Sequence, residues 1–291
     1  EFAQRMKNDE MITLAKFLAI SGIILPMLPH KNLIPDVNLT PYSIWLATVV
    51  VSGISYLSYL LKRYVFHESG TLVSGIIGGL YSSTATISVL ARKSRKASEQ
   101  EATDYVAAML LAISMMFLRF MILILIFSRE IFLSIYPYLL TMAVVAAIVA
   151  WFIHSRQKRS NDQPVEEEED DSSNPLEFKV ALIFAVLFVI FTFLTHYTLV
   201  YAGTGGLNLL SFVSGFSDIT PFILNLLQNT GSVAALIITA CSMQAIISNI
   251  MVNMFYALFF AGKGSKLRPW ILGGFGVVIA CNLVLLLFFY I

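Results

Sequence analysis

The stretch GGLYSSTATISVLARKSRK, residues 78–96, decides how this chain is threaded. It opens on glycines and hydroxyl side chains and ends on four basic residues within five positions, Arg92, Lys93, Arg95 and Lys96. Two structures fit such a segment in an apolar chain. One is a spanning helix packed through its small residues. The other enters the membrane, breaks and returns to the side it came from. Irregular backbone at that depth is tolerated where protein buries it or where it lines a wet cavity. The choice sets which way the second half of the chain faces.

Composition makes the bilayer the relevant solvent. The 291 residues are 57% hydrophobic and 13% charged, with a mean hydropathy of +0.78, whereas a soluble domain carries about a quarter charged residues. A bilayer core about 30 Å thick is crossed by roughly 20 apolar residues in a helix. Runs of that kind cover 12–29, 42–61, 70–91, 105–127, 131–154, 178–201, 206–228, 232–261 and 268–291. Trp45, Trp151 and Trp270 mark run ends, where an indole meets both apolar chains and headgroup acceptors. Cys241 and Cys281 lie inside apolar runs and read as packing residues rather than a disulfide. The net charge of +1 sits in loops of a membrane protein and points to no nucleic acid.

The expected fold class is all-α, a polytopic membrane protein. It has about seven spanning helices plus two re-entrant or broken elements, or nine plain spans, in an inverted-repeat architecture. Residues 1–11 form a polar connector, 12–154 the first membrane half (led by helix 12–29), 155–177 a linker and 178–291 the second half. The linker, SRQKRSNDQPVEEEEDDSSNP over 155–175, is acidic and without apolar periodicity, which reads as a solvated, disordered joint.

Loop charge separates the two threadings, because cytoplasmic loops hold the Lys/Arg excess. With nine plain spans, each side carries eight basic residues, and no orientation results. If runs 70–91 and 206–228 each return to their own side, fourteen basic residues share one side and two, Lys31 and Arg129, the other. The fourteen-residue side holds the N-terminus and the linker, which are then cytoplasmic. Both runs are also rich in Gly, Ser and Thr, a poor surface for lipid.

Re-entry gives each half three spans and one broken element, so the halves face opposite ways. Their sequences keep a common order. IIGGLYSSTAT precedes AAMLLAISMMFLRFMILILIF, and FVSGFSDITPF precedes AALIITACSMQAIISNIMVNMFYALFF. Aligning Gly79 with Gly215 sets Ser82 opposite Asp218 and Thr84 opposite Thr220, and brings Arg119 near Ser248 and Asn249. Inverted repeats whose broken elements meet at the midplane are a recurrent transporter plan.

The candidate site residues follow from the cost of polar groups at membrane depth. A carboxylate there costs about 2.5–3.5 kcal/mol on insertion scales, so Asp218 needs a partner or a wet cavity. Arg119 is the arginine deep in a spanning run and could pair with it or hold substrate. Ser82, Ser83, Thr84 and Thr86 supply hydroxyls at the first break, and Thr220 at the second. Freed N–H groups at a break favour an anion and freed carbonyls a cation. Asn249 and Asn253 share a helical face, and Asn225 extends the polar face beyond Asp218. Each also has a plain structural reading: hydroxyls bonding their own backbone, carboxamides joining helices, Asp218 capping a half-helix.

The chain contains no Walker A loop, HExxH, CxxC cluster or GxSxG elbow. No cofactor is expected, and neither ATP-driven pumping nor an enzyme activity. Its four histidines are scattered, which leaves little for a membrane-embedded enzyme.

At GGLYSSTATISVLARKS the chain resembles the bacterial membrane family catalogued as domain of unknown function 4010, often fused behind an MgtC/SapB-type membrane domain. KFLAISGIILPMLP, PYSIWLATVVVSGISYLSYL, MMFLRF, SGFSDIT and SNIMVN follow in the family's order, so the resemblance covers nearly the whole chain. The most specific part is GGLxSSTAT followed by Ala91 and Arg92. In the family a Lys often stands where this chain has Asn253. The resemblance implies a bacterial cytoplasmic (inner) membrane location. It also implies that residues 1–11 end a connector from an MgtC-like domain in the full-length chain. MgtC-type proteins are linked to magnesium homeostasis, a property of that other domain. The family supplies a class rather than an activity.

The expected function is secondary transport or channel-like passage of a small ion or polar solute, with the site between the two halves. The lipid bilayer and that solute are the partners, with a homo-oligomer as a further arrangement. The competing reading is a non-transporting regulatory or scaffold protein linked to ion homeostasis. It calls for Asp218 and Arg119 in a dry, closed pair.

Overall fold

A computed structural model of the chain describes residues 8–34, 37–65, 70–95, 97, 99–156, 178–228, 233–262 and 265–290. Most of the connector and most of the acidic linker lie outside these residues. The helices are α1 (Asn8–Met27), α2 (Pro41–Leu60, continued by a π-turn over Leu61–Val65), α3 (Thr71–Lys93), α4 (Glu99–Phe127), α5 (Arg129–Ser155), α6 (Phe178–Ser214), α7 (Ile219–Gln228), α8 (Ala235–Ala261) and α9 (Arg268–Tyr290). Among the described residues the one β-feature is an isolated bridge between Ile34 and Val37. By length and composition seven helices, α2 to α6, α8 and α9, suffice to cross a membrane, α3 only if it ran straight.

Local chemistry sets the helix starts. Thr40 caps α2 through a reciprocal box with Ser43, and Pro41 fills the first turn, where its missing N–H costs nothing. Ser128 caps α5 by accepting from the Ile131 amide. Between helices, buried hydrogen bonds fix register. Ser114 Oγ donates to the Ala143 carbonyl at 2.8 Å, joining α4 to α5, and the Tyr138 hydroxyl bonds Asn282, joining α5 to α9.

Two of these helices do not run straight. Ser82, inside α3, has extended backbone (φ −159°, ψ 108°). Residues eight apart in a continuous helix are separated by about 12 Å. Yet a Cβ on Gly78 would lie 2.5 Å from Oγ1 of Thr86. The chain therefore folds back at Ser82 into two short arms, 71–81 and 83–93. In α6 the same reversal occurs at Gly203 (φ 59°, ψ −152°), where a Cβ on Gly206 would meet Cγ2 of Thr198 at 2.8 Å. Helix α6 is thus a long helix over 178–202 followed by a short arm, 204–214.

That arm runs alongside and parallel to α8, with Asn208 on Cys241, Phe212 on Ser248 and Gly215 on Asn249. Helix α7 then leads back to the start of α8. Arm 204–214 and α7 thus make a second helical hairpin, with its tip over 215–218. The first hairpin is built alike: Gly75 lies on Ala108 and Gly79 on Ala112, so arm 71–81 runs parallel to α4.

The ends of the bundle can be matched by contact. Asp104, early in α4, bonds His154 at the end of α5 at 2.7 Å. Arg95, after α3, donates to the Phe259 carbonyl near the end of α8, and Arg92 sits over the Phe260 ring. Helices α4 and α8, the two most buried, are therefore antiparallel and form the centre. Around them α5 exposes Leu133, Leu140, Val144 and Ile148, and α9 exposes Val284, Leu287 and Phe288. So apolar a surface suits lipid. Trp151 is exposed as a run-end indole should be, whereas the Trp45 Nε1 is buried without an acceptor.

Candidate functional site

The two hairpin tips leave main-chain groups that helices would otherwise satisfy. At the first, Ser82 Oγ accepts from the Ala85 amide at 3.3 Å and so caps arm 83–93. The Tyr81 carbonyl, last in arm 71–81, accepts from Arg119 Nη1 at 2.9 Å. The tip is held there because α3 and α4 touch main chain to main chain. A Cβ on Gly75 would lie 2.3 Å from the Ala108 carbonyl oxygen, and one on Gly79 2.5 Å from the Ala112 Cα.

At the second tip, Asp218 Oδ1 accepts from the Thr220 amide at 2.9 Å and caps α7. The preceding arm's end is closed by α8. Ser248 Oγ donates to the Phe212 carbonyl at 2.6 Å, and Asn249 Nδ2 to the Gly215 carbonyl at 3.2 Å. Gly215 has no room for a side chain, since a Cβ would lie 2.4 Å from the Cβ of Ser248.

Arg119 joins the tips. While Nη1 holds the Tyr81 carbonyl, Nη2 reaches Thr220 Oγ1 at 3.4 Å. Its Nε is buried and without an acceptor. Beside it lies a cavity of about 510 Å³ lined from both tips, from α4 and α8, and by Ser52 and Ser55 of α2. The start of α6 (Val180 to Leu187) and Tyr256 also line it. No ion pair joins Arg119 to Asp218 among the described residues: the carboxylate serves α7 and the guanidinium the main chain and Thr220.

Of the residues singled out from sequence, Ser82, Ser83, Thr84, Arg119, Asp218, Thr220 and Asn249 line this cavity. Thr86, Asn225 and Asn253 do not. Thr86 packs on Gly78. Asn225 is fully buried and donates to Thr192 Oγ1 at 2.7 Å, tying α7 to α6. Asn253 donates to Asn249 Oδ1 at 3.1 Å, so Asn249 stands between a partner in its own helix and the tip it closes. Sequence reasoning passed over Ser52, Ser55, Tyr81, Ser217 and Tyr256. The i, i+3 spacing of Ser52 and Ser55 on one face of α2 was an available signal. The packing also corrects one detail of the alignment. Gly79 rests on Ala112 as Gly215 rests on Ser248, so the counterpart of Ser248 is Ala112 and not Arg119. Among the described residues no group of three or more His, Cys, Asp or Glu gathers to hold a metal.

A helical bundle with a lipid-suited surface, two helical hairpins and a cavity at their tips defines the class: a multi-pass membrane protein. The sequence profile of the family described as Domain of unknown function (DUF4010) matches residues 49–261, and the chain belongs to that family. The match takes in both hairpins, Arg119 and the SNIMVN face. An uncharacterized protein of Aquifex aeolicus (strain VF5) is 25% identical over 224 residues, covering 76% of this chain and 96% of that protein. No solved structure matches.

Proposed function

We propose that this protein is a secondary transporter or channel for a small ion or polar solute, and not an enzyme. The site is the cavity between the two hairpin tips. The observation that carries the reading is Arg119 bonded to both tips beside a cavity of about 510 Å³. A scaffold would be served better by a dry, closed Arg119–Asp218 pair. Here no ion pair joins the two groups, and both line the cavity.

The geometry supports re-entry and an inverted repeat. Gly79 with Ala112 and Gly215 with Ser248 are equivalent packings at one sequence offset, on central helices that run in opposite directions. Nine plain spans would set the loop after α3 and the end of α8 on opposite membrane faces, yet Arg95 bonds the Phe259 carbonyl. In this reading the end bearing Arg92, Arg95 and Lys266 is cytoplasmic, in the inner membrane of a bacterium. The cavity reaches toward that end, past Tyr256 and the start of α6.

Cysteine labelling tests the threading. In intact cells R63C and R92C should both resist an impermeant maleimide, while L33C reacts. Labelling of R92C but not R63C from outside would refute re-entry. Flux of tracer ions into proteoliposomes tests the activity: uptake above empty vesicles is expected, and none across a panel of small ions and solutes would end the transport reading.

A further inference from the structure

A second cavity, of about 480 Å³, lies at the end of the bundle where α3 and α8 stop and α4 and α9 start. Its polar side chains are Ser94, Arg95, Thr103, Ser265, Lys266 and Trp270. Arginine, lysine and tryptophan side chains only donate hydrogen bonds, and the other three are hydroxyls. None of the described residues lining it is a carboxylate, a carboxamide or an imidazole. Asp104, next to Thr103 in sequence, is bonded to His154 instead. Two helix N-termini and two C-termini meet here, so their dipoles offset and the side chains set the charge.

The donors are held in place. The Arg95 guanidinium gives one N–H to the Phe259 carbonyl at 3.3 Å. It lies against Gly262, where φ is 91° and a Cβ would stand 3.4 Å from Arg95 Nε. A guanidinium has five N–H groups, so Arg95 keeps others to give. Ser265 Oγ accepts from the Leu267 amide at 3.2 Å and retains its own proton. The carbonyls that end α3 are taken: Leu90 by the Ser94 amide at 2.9 Å, Ala91 by Ser94 Oγ at 2.8 Å and Arg92 by the Arg95 amide at 3.3 Å. The cavity is rich in donors and short of acceptors.

Trp270 fixes its depth. This residue is 37% exposed at the start of α9, whose Leu272, Val277 and Val284 are exposed and apolar. An indole so placed sits at headgroup level. One turn on, Gly273 leaves open space where a side chain would stand. The cavity thus meets the bilayer where lipid phosphates lie.

We infer that this cavity binds the phosphate of an anionic phospholipid. Arg95 is the main donor, Lys266 and Trp270 stand beside it, and the acyl chains follow α9. Basic pockets between helices at a membrane face take such headgroups. The inference is independent of the transport reading, since a lipid here braces the junction of four helix ends whatever the first cavity carries.

The full chain in detergent is titrated with phosphatidylglycerol, with phosphatidylcholine of the same acyl chains, and with glycerol 3-phosphate. Unfolding temperature is read, and lipid retained by the protein is counted by native mass spectrometry. A saturable rise and retained copies are expected with phosphatidylglycerol only. R95Q should weaken that response about fivefold or more. R92Q removes the same charge at the same end but outside the cavity, and should leave the response near that of the unaltered chain. W270F should weaken it, while W151F, at an exposed indole outside the cavity, should not. If R95Q does not fold, the tryptophan pair decides. Equal losses for R92Q and R95Q would mean diffuse charge attraction and overturn the inference, as would equal stabilisation by phosphatidylcholine. Saturation by glycerol 3-phosphate at the same concentrations would overturn a lipid as the occupant.

Discussion

Arg119 donates to the carbonyl of Tyr81 at 2.9 Å across 38 residues of sequence, so a helix reaches over to finish a neighbour that ends in mid-bundle. Arg119→Ala removes the charged donor to that carbonyl. The cost should be about 1.5–3 kcal/mol, read as a drop in unfolding temperature, together with loss of flux. Arg119→Lys keeps the charge but cannot span both tips with a rigid fork, and should recover stability more than flux.

The glycine seam between α3 and α4 gives a prediction with its own control. G79A drives a Cβ against the main chain of Ala112, which cannot yield as a side-chain end could. Destabilisation of about 1–3 kcal/mol is expected, as for overpacking generally. G53A, at a glycine with open space around it, should be near neutral in the same thermal melt.

Gly203 is required for a different reason. Its φ of 59° with ψ of −152° is a conformation that side chains bar, although nothing crowds the position. G203A should cost about 1–3 kcal/mol in strain, whereas G205A, two residues on and equally uncrowded, should not. Chemical denaturation of the two variants side by side separates strain from lost space.

Asn225 and Asn249 distinguish joining helices from lining the cavity. N225A removes the donor to Thr192 Oγ1 deep between α7 and α6, while the Thr192 hydroxyl keeps its own bond to the Phe188 carbonyl. It should lower stability by about 1 kcal/mol or more and leave the solute dependence of flux unchanged. N249A opens the end of the arm at Gly215 and borders the cavity, so it should alter the concentration dependence of flux as well.

Much of this fold could be read from residue order, for physical reasons. Hydropathy found the helices because lipid demands long apolar runs. The gap between runs 178–201 and 206–228 fell on Gly203, where the chain does reverse. The Gly/Ser/Thr content of 78–86 marked the first break because lipid-facing helices avoid it. The site was legible only where it uses side chains. Arg119's main partner is the Tyr81 carbonyl, a group every residue has, so no pattern of residue types could announce it. Asn225 looked the same as Asn249 because both are carboxamides near Asp218 or its neighbours. Only the folded positions of Thr192 and Gly215 assign them different work.

The joints of this molecule differ in stiffness. Within each pair of hairpin and central helix, contact is between backbones at Gly79 and Ala112, or locked by amide and hydroxyl at Gly215, and such a seam has no slack to slide. Between the tips, the tie at Arg119 is one guanidinium with bonds of 2.9 and 3.4 Å. A load on the bundle would yield at that rivet first, parting the tips while each pair keeps its shape.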